Sequence, residues 1–89
     1  MARVLFTGHL ARYLDAATVE VAGATVAEAL AHVFAQQPRL RAYILDEQGH
    51  VRQHVSIYVD GAAIADRARL SDPVGPRDEI YILQALSGG

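Results

Sequence analysis

Residues 23–38 read GATVAEALAHVFAQQP, and the reading of this stretch decides the fold. Thr25 is followed three residues later by Glu28. That is the spacing of a capping box, in which each side chain satisfies a backbone N–H of the first helical turn. Val26, Ala29, Leu30, Val33 and Phe34 then recur at helical spacing and make one apolar stripe. Pro38 has no N–H to donate and clashes with the turn before it, so the helix is expected to stop just ahead of it. A single amphipathic helix must lay its stripe on something flat, and the flanking sequence supplies strands.

On the N-terminal side, ARVLFT is rich in β-branched and aromatic residues and reads as a first strand. Val4 and Phe6 share one face, with Arg3, Leu5 and Thr7 on the other. ATVEVAG reads as a second strand, Val19 and Val21 facing opposite to Thr18 and Glu20. The connection between them, GHLARYLDA, is longer than a tight hairpin turn. On the C-terminal side, Leu40, Ile44 and Leu45 are expected in a short helical turn that Gly49 reverses. VRQHVSIYVDG is expected to be extended from Val51 to Val59, with Val55, Ile57 and Val59 on one face and His54, Ser56 and Tyr58 on the other. Asp60–Gly61 is a two-residue hairpin signal, after which AAI returns as a short strand. Pro73, Gly75 and Pro76 punctuate the loop that follows. EIYILQA closes the domain as a strand apolar on both faces. One helix covering one face of a mixed four- to five-stranded sheet is a two-layer α+β domain. The order fits a ubiquitin-like β-grasp roll, whose first and last strands lie parallel in the middle of the sheet. Residues 1–84 form the domain and residues 85–89 a flexible tail ending in Gly-Gly.

Composition narrows the function. The chain has 89 residues, 52% of them hydrophobic, with a net charge of −2, which fits a packed globule. With no cysteine, the chain offers no disulfide, zinc–thiolate site or thiol nucleophile. All eight basic residues are arginine, so no side-chain amine exists for isopeptide chain-building, and a chain carrying an activated acyl group gains from lacking such attackers. The arginines are scattered from Arg3 to Arg77 and form no cluster, which argues against nucleic acid. No apolar run approaches the roughly 18 residues of a membrane span. The start, MARVLFTGHLARYLD, meets charge too early for a signal peptide. The expected location is the cytoplasm, with no membrane partner.

Motifs for chemistry are scarce. His50 and His54 have the spacing that binds zinc on a helix, but four residues of strand span about 13 Å, too far for one ion. His9, His32, His50 and His54 are therefore read as ordinary surface residues, and no metal site is expected. Gly23 stands alone before the helix with no lysine after it, so no phosphate loop is present. Ser56, Ser71 and Ser87 lie in no nucleophile-elbow context. The pairs Asp46–Glu47 and Asp78–Glu79 read as solvated turn residues. The chain is thus expected to carry no catalytic residue and no bound cofactor.

What remains is the last strand and its end. If Ile80 and Ile82 face the helix, Tyr81 and Leu83 point to the opposite face of the sheet, where Leu5 and Tyr58 join them. A contiguous exposed apolar patch with aromatic residues marks a partner surface; a covering loop of this chain or a homodimer contact is the alternative. Beyond it QALSGG carries no charged side chain. Glycines without Cβ give the narrowest profile a polypeptide has, one able to enter a tight channel.

The chain resembles the MoaD/ThiS family of ubiquitin-like sulfur carriers. The likeness rests on the strand–strand–capped-helix order, on HVSIYVDG, on RDEIYIL after a Pro/Gly-rich loop, and on Gly88–Gly89. It implies that a separate E1-like activating enzyme spends ATP to adenylate the carboxylate of Gly89, with Leu86, Ser87 and Gly88 as the slender lead-in. It further implies conversion to a thiocarboxylate, with sulfur from a sulfurtransferase or sulfide source, and delivery to a sulfur-accepting biosynthetic enzyme. YILDEQGHVRQHVSIYVDG looks closer to the carriers that deliver sulfide for cysteine synthesis, so that branch, or a pathway-specific relative, is expected. A molybdopterin synthase small subunit is the nearest alternative, although no proline follows Pro76. A ubiquitin-like modifier attached through Gly89, or a plain β-grasp interaction module, are the others.

Overall fold

In the computed structural model, residues 2–6 and 18–84 are described. The chain opens with β1 (Ala2–Phe6) and β2 (Thr18–Val21), then α1 (Val26–Gln36) and a short α2 (Arg39–Ile44). β3 (Val55–Val59), β4 (Ala62–Ala63) and β5 (Glu79–Gln84) complete one sheet of order β2-β1-β5-β3-β4. β1 and β5 run parallel at its centre, in the register Val4 to Ile80 and Phe6 to Ile82. All other pairings are antiparallel. The α+β ubiquitin-like β-grasp expected from the sequence is the fold found.

The inward residues of the central strands, Val4, Phe6, Val55, Ile57, Ile80 and Ile82, are buried in one cluster with Val26, Ala29, Leu30 and Val33 of α1. Each of the valine, leucine, isoleucine and phenylalanine side chains among them contributes about 1.5–3 kcal/mol by leaving water. Leu40 and Ile44 of α2, with Leu45, extend this core beyond α1.

Helix α1 begins where expected, but its cap differs in one bond. Thr25 Oγ1 accepts from the Glu28 N–H at 3.2 Å, as in a capping box. The Glu28 carboxylate, however, reaches past Thr25 and accepts from the Ala24 N–H at 2.8 Å. The remaining donors of the first turn are taken by a distant loop: Val26 N–H bonds the Asp72 carbonyl at 3.0 Å and Ala27 N–H the Leu70 carbonyl at 2.9 Å. The chain enters the helix so tightly that a Cβ on Gly23, whose φ is +150°, would stand 2.9 Å from both the Ala29 nitrogen and the Glu28 Cβ.

One expected strand is shorter than its pattern. Val51 to Val59 alternates throughout, yet β3 starts only at Val55. Val55 N–H bonds the Arg52 carbonyl at 3.0 Å and closes a turn. The Arg67 guanidinium donates to the carbonyls of Arg52 and Val55 at 2.6 and 2.7 Å, fixing it there. Val51 instead makes an isolated bridge with Leu45. Asp60 and Gly61, with φ of 49° and 84°, form the hairpin turn that the sequence predicts.

The loop between β4 and β5 is held by carboxylates. Asp72 accepts from the N–H groups of Ala65 and Asp66. Asp66 accepts from the Ser71 hydroxyl at 2.5 Å and from the N–H groups of Ala68 and Arg69. The Ser71 hydrogen bond, with that from Arg69, holds the Asp66 carboxyl below the usual carboxylate range. Two outcomes follow. Gly23→Ala should cost about 1–3 kcal/mol in a denaturant titration, because the added methyl meets helix backbone and the conformation disfavours a side chain. Because the Asp66 value is depressed on folding, its contribution is complete above the ordinary range and disappears as pH falls through the folded-state value. Asp66→Asn should therefore lower the melting temperature at pH 7, and the gap to wild type should close below about pH 4.

Candidate functional site

The face of the sheet turned away from α1 is set by strand alternation and register alone. Because inward positions of β1 and β5 are even-numbered, Leu5, Tyr81 and Leu83 must point outward. Pairing aligns Leu5 with Tyr81 and Tyr81 with Tyr58, making a row across β1, β5 and β3. Leu83 lies one step further along β5, opposite Ser56. Leu83 is 37% exposed, one of two large apolar residues so exposed among those described; Leu5, Tyr58 and Tyr81 are half-buried. All four residues expected in an outer patch thus share one face.

Tyr58, Tyr81 and Leu83, with Gly61, line an open concavity of about 290 Å³. Beside it the face turns polar. Arg3 pairs across the sheet with Glu20 and Glu79, and its guanidinium bonds the Glu79 carboxylate at 2.6 Å. The other Glu79 oxygen lies 3.5 Å from the Tyr81 hydroxyl. Asp60 Oδ1 accepts the Glu79 N–H at 3.1 Å, which sets a second carboxylate next to Gly61. Gly61, Asp60 and the Arg3–Glu79 pair were not singled out by sequence reasoning. The sequence reads the Asp60–Gly61 turn only as a chain reversal; in the fold Gly61 lines the concavity with Tyr58.

The expected working end, Leu86, Ser87, Gly88 and Gly89, lies outside the described residues, as does His9. The last described residue, Gln84, pairs with Val55, beside the turn that precedes β3. The extended run invoked to separate His50 from His54 is not present, since residues 52–55 form a turn. Among the described residues no group of three or more histidine and acidic side chains could hold a metal. The acidic pairs do more than face solvent. Asp46 accepts from the N–H groups of His50 and Gln48 at 3.0 and 2.9 Å, and the first of these bonds holds its carboxyl below the usual range. Asp78 accepts from Gly75 N–H at 2.7 Å. Among the described residues, no helix is long and apolar enough to cross a membrane.

Solved structures place this geometry among known proteins. SAMP1 of Haloferax volcanii superposes with a TM-score of 0.85 at 25% identity, covering 99% of this chain and 98% of that one. A chain of the Amycolatopsis orientalis BexX/CysO complex gives 0.87 at 24% identity, with 100% of both chains covered. CysO of Mycobacterium tuberculosis gives 0.84 at 19% identity over 97% of this chain and 100% of that one. No curated protein matches the chain in sequence. The fold is the one shared by ThiS/MoaD-like sulfur carriers and ubiquitin-like modifiers. The model of the ThiS family matches residues 4–89, and the chain belongs to that family.

Proposed function

We propose that this chain is a sulfur carrier whose working group is the carboxylate of Gly89. The observation that most supports this is the reach of the family match, which runs through Gly89, together with the position of the tail at the end of a central strand. The carboxylate is a poor electrophile. In a separate E1-like activating enzyme it attacks the α-phosphorus of ATP; pyrophosphate leaves and an acyl-adenylate forms. Hydrosulfide, supplied by a sulfide source or released from a sulfurtransferase persulfide by a thiol reductant that is oxidised to a disulfide, then adds at the acyl carbon, AMP leaves with the electron pair, and one proton is released. The thiocarboxylate that results is a nucleophile on a tether, ready for a sulfur-accepting biosynthetic enzyme. Sulfide delivery for cysteine synthesis is the favoured use, given the likeness of residues 43–61 to that branch. The chain itself binds no cofactor in this scheme, and ATP belongs to its partner.

The role of the domain is to present the tail. β5 is paired with β1 as far as Ile82 and with β3 as far as Gln84, so Gln84 is the origin from which five further residues extend at most roughly 17 Å. A partner acting on Gly89 must therefore dock close to this end of the sheet. Leu5, Tyr58, Tyr81 and Leu83 are the surface proposed for that docking. A second reading is favoured by the 25% identity to SAMP1, a protein described as a small archaeal modifier. In it an amine of a target lysine, rather than sulfide, displaces AMP and leaves Gly89 in an amide bond.

Intact-mass measurement after incubation with the activating enzyme, ATP and sulfide should show exchange of one oxygen for sulfur. Adducts joined to other proteins would favour the modifier instead. A chain left unmodified by an enzyme that activates another carrier would contradict both. Deleting Gly89 should abolish the exchange yet leave the melting temperature unchanged, because the described core lies wholly between Ala2 and Ile82.

A further inference from the structure

We infer that Gly61 is a specificity-determining residue: its missing side chain keeps the outer-face concavity open to one large apolar side chain of the activating enzyme, carried beside a cationic group. The inference rests on the carrier reading above and adds the chemistry of the contact. The concavity measures about 290 Å³ and is walled by Tyr58, Tyr81 and Leu83. A closed cavity of ~150 Å³ already holds a benzene ring, so an aromatic or branched aliphatic side chain fits with its stem in the open mouth. An open concavity lined by aromatics is closed off from water only when a partner side chain fills it, and such filled sites concentrate binding energy.

Charge beside the concavity selects what accompanies that side chain. Asp60 is exposed and its carboxylate is held against the start of β5 by the Glu79 N–H. Glu79 sits on the same side, one oxygen on Arg3 and the other toward the Tyr81 hydroxyl. Glu20 lies across Arg3 on β2. With Glu79 paired to Arg3, the exposed Asp60 carboxylate leaves this rim with a net negative charge, and an arginine or lysine next to the inserted side chain complements it.

Gly61 is where the two features meet. Its φ of +84° satisfies the hairpin turn, and a Cβ built there meets nothing within 4 Å, so the fold itself leaves room for a side chain. Gly49 offers a matched control: its φ is +85°, its Cβ site is equally open, and it lies in the turn after α2, away from the concavity. Asparagine tolerates this backbone region better than most residues. Gly61→Asn and Gly49→Asn should therefore have similar effects on melting temperature while differing in what they cover.

The test is carrier-dependent pyrophosphate exchange by the activating enzyme, with wild type, both glycine variants and Asp60→Asn. Asparagine at position 60 keeps an acceptor for Glu79 N–H and removes only the charge. Gly61→Asn should raise KM for the carrier by about tenfold or more with little change in kcat, and Gly49→Asn should leave both near wild type. Asp60→Asn should raise KM at low ionic strength and lose that effect in high salt. Equal KM for wild type and Gly61→Asn, or equal losses in both glycine variants, overturns the inference while the carrier reading stands. Failure of wild type to support exchange, with an enzyme active on another carrier, removes the reading and the inference together.

Discussion

The parallel pairing of β1 with β5 is the constraint on which the rest of the molecule depends. It joins the two ends of the domain at the sheet centre, so Val4, Phe6, Ile80 and Ile82 face α1 in one block. Parallel strands are stable when their faces are covered, and here only one face is covered by the helix layer. The same register that buries the even positions places Leu5 and Tyr81 side by side on the other face. Core and outer patch are therefore two results of one alignment. A slip of one residue would exchange them.

The long loop before β5 carries the second level of organisation. Its carbonyls at Leu70 and Asp72 satisfy the first turn of α1, and Arg67 closes the turn that precedes β3. Leu70 accepts a left-handed backbone, φ +54°, while its side chain is buried. That conformation is costly for a bulky residue, and the Leu70 N–H bond to the Asp66 carbonyl at 2.9 Å helps to hold it. Loop, helix start and β3 are thus cross-linked by hydrogen bonds that, among the described residues, use none of the outer-face side chains Leu5, Tyr58, Tyr81 and Leu83.

Legibility in the sequence followed the range of the forces involved. Helix α1 was readable because its cap and stripe are local, set by residues three and four apart. The Asp60–Gly61 turn was readable because its chemistry lies in the two residues themselves. The false extension of β3 back to Val51 shows the opposite case. The alternation is present, but two hydrogen bonds from Arg67, 12 and 15 residues away, override it. The four apolar residues of the outer patch could be assigned to a face from parity. The gathering of Tyr58, Tyr81 and Leu83 around a concavity, with Gly61 and Asp60 beside it, depended on cross-strand register and so emerged only with the fold.

The central claim is that Gly89 carries sulfur. Arg77 is the last arginine of the chain, so trypsin releases the end as one peptide, residues 78–89. Tandem mass spectrometry of that peptide, from protein isolated out of its native host, reads the chemical state of Gly89 directly. The account predicts a population in which sulfur replaces one terminal oxygen. A peptide found only as the free acid, or only as an amide on lysines of other proteins, would contradict it.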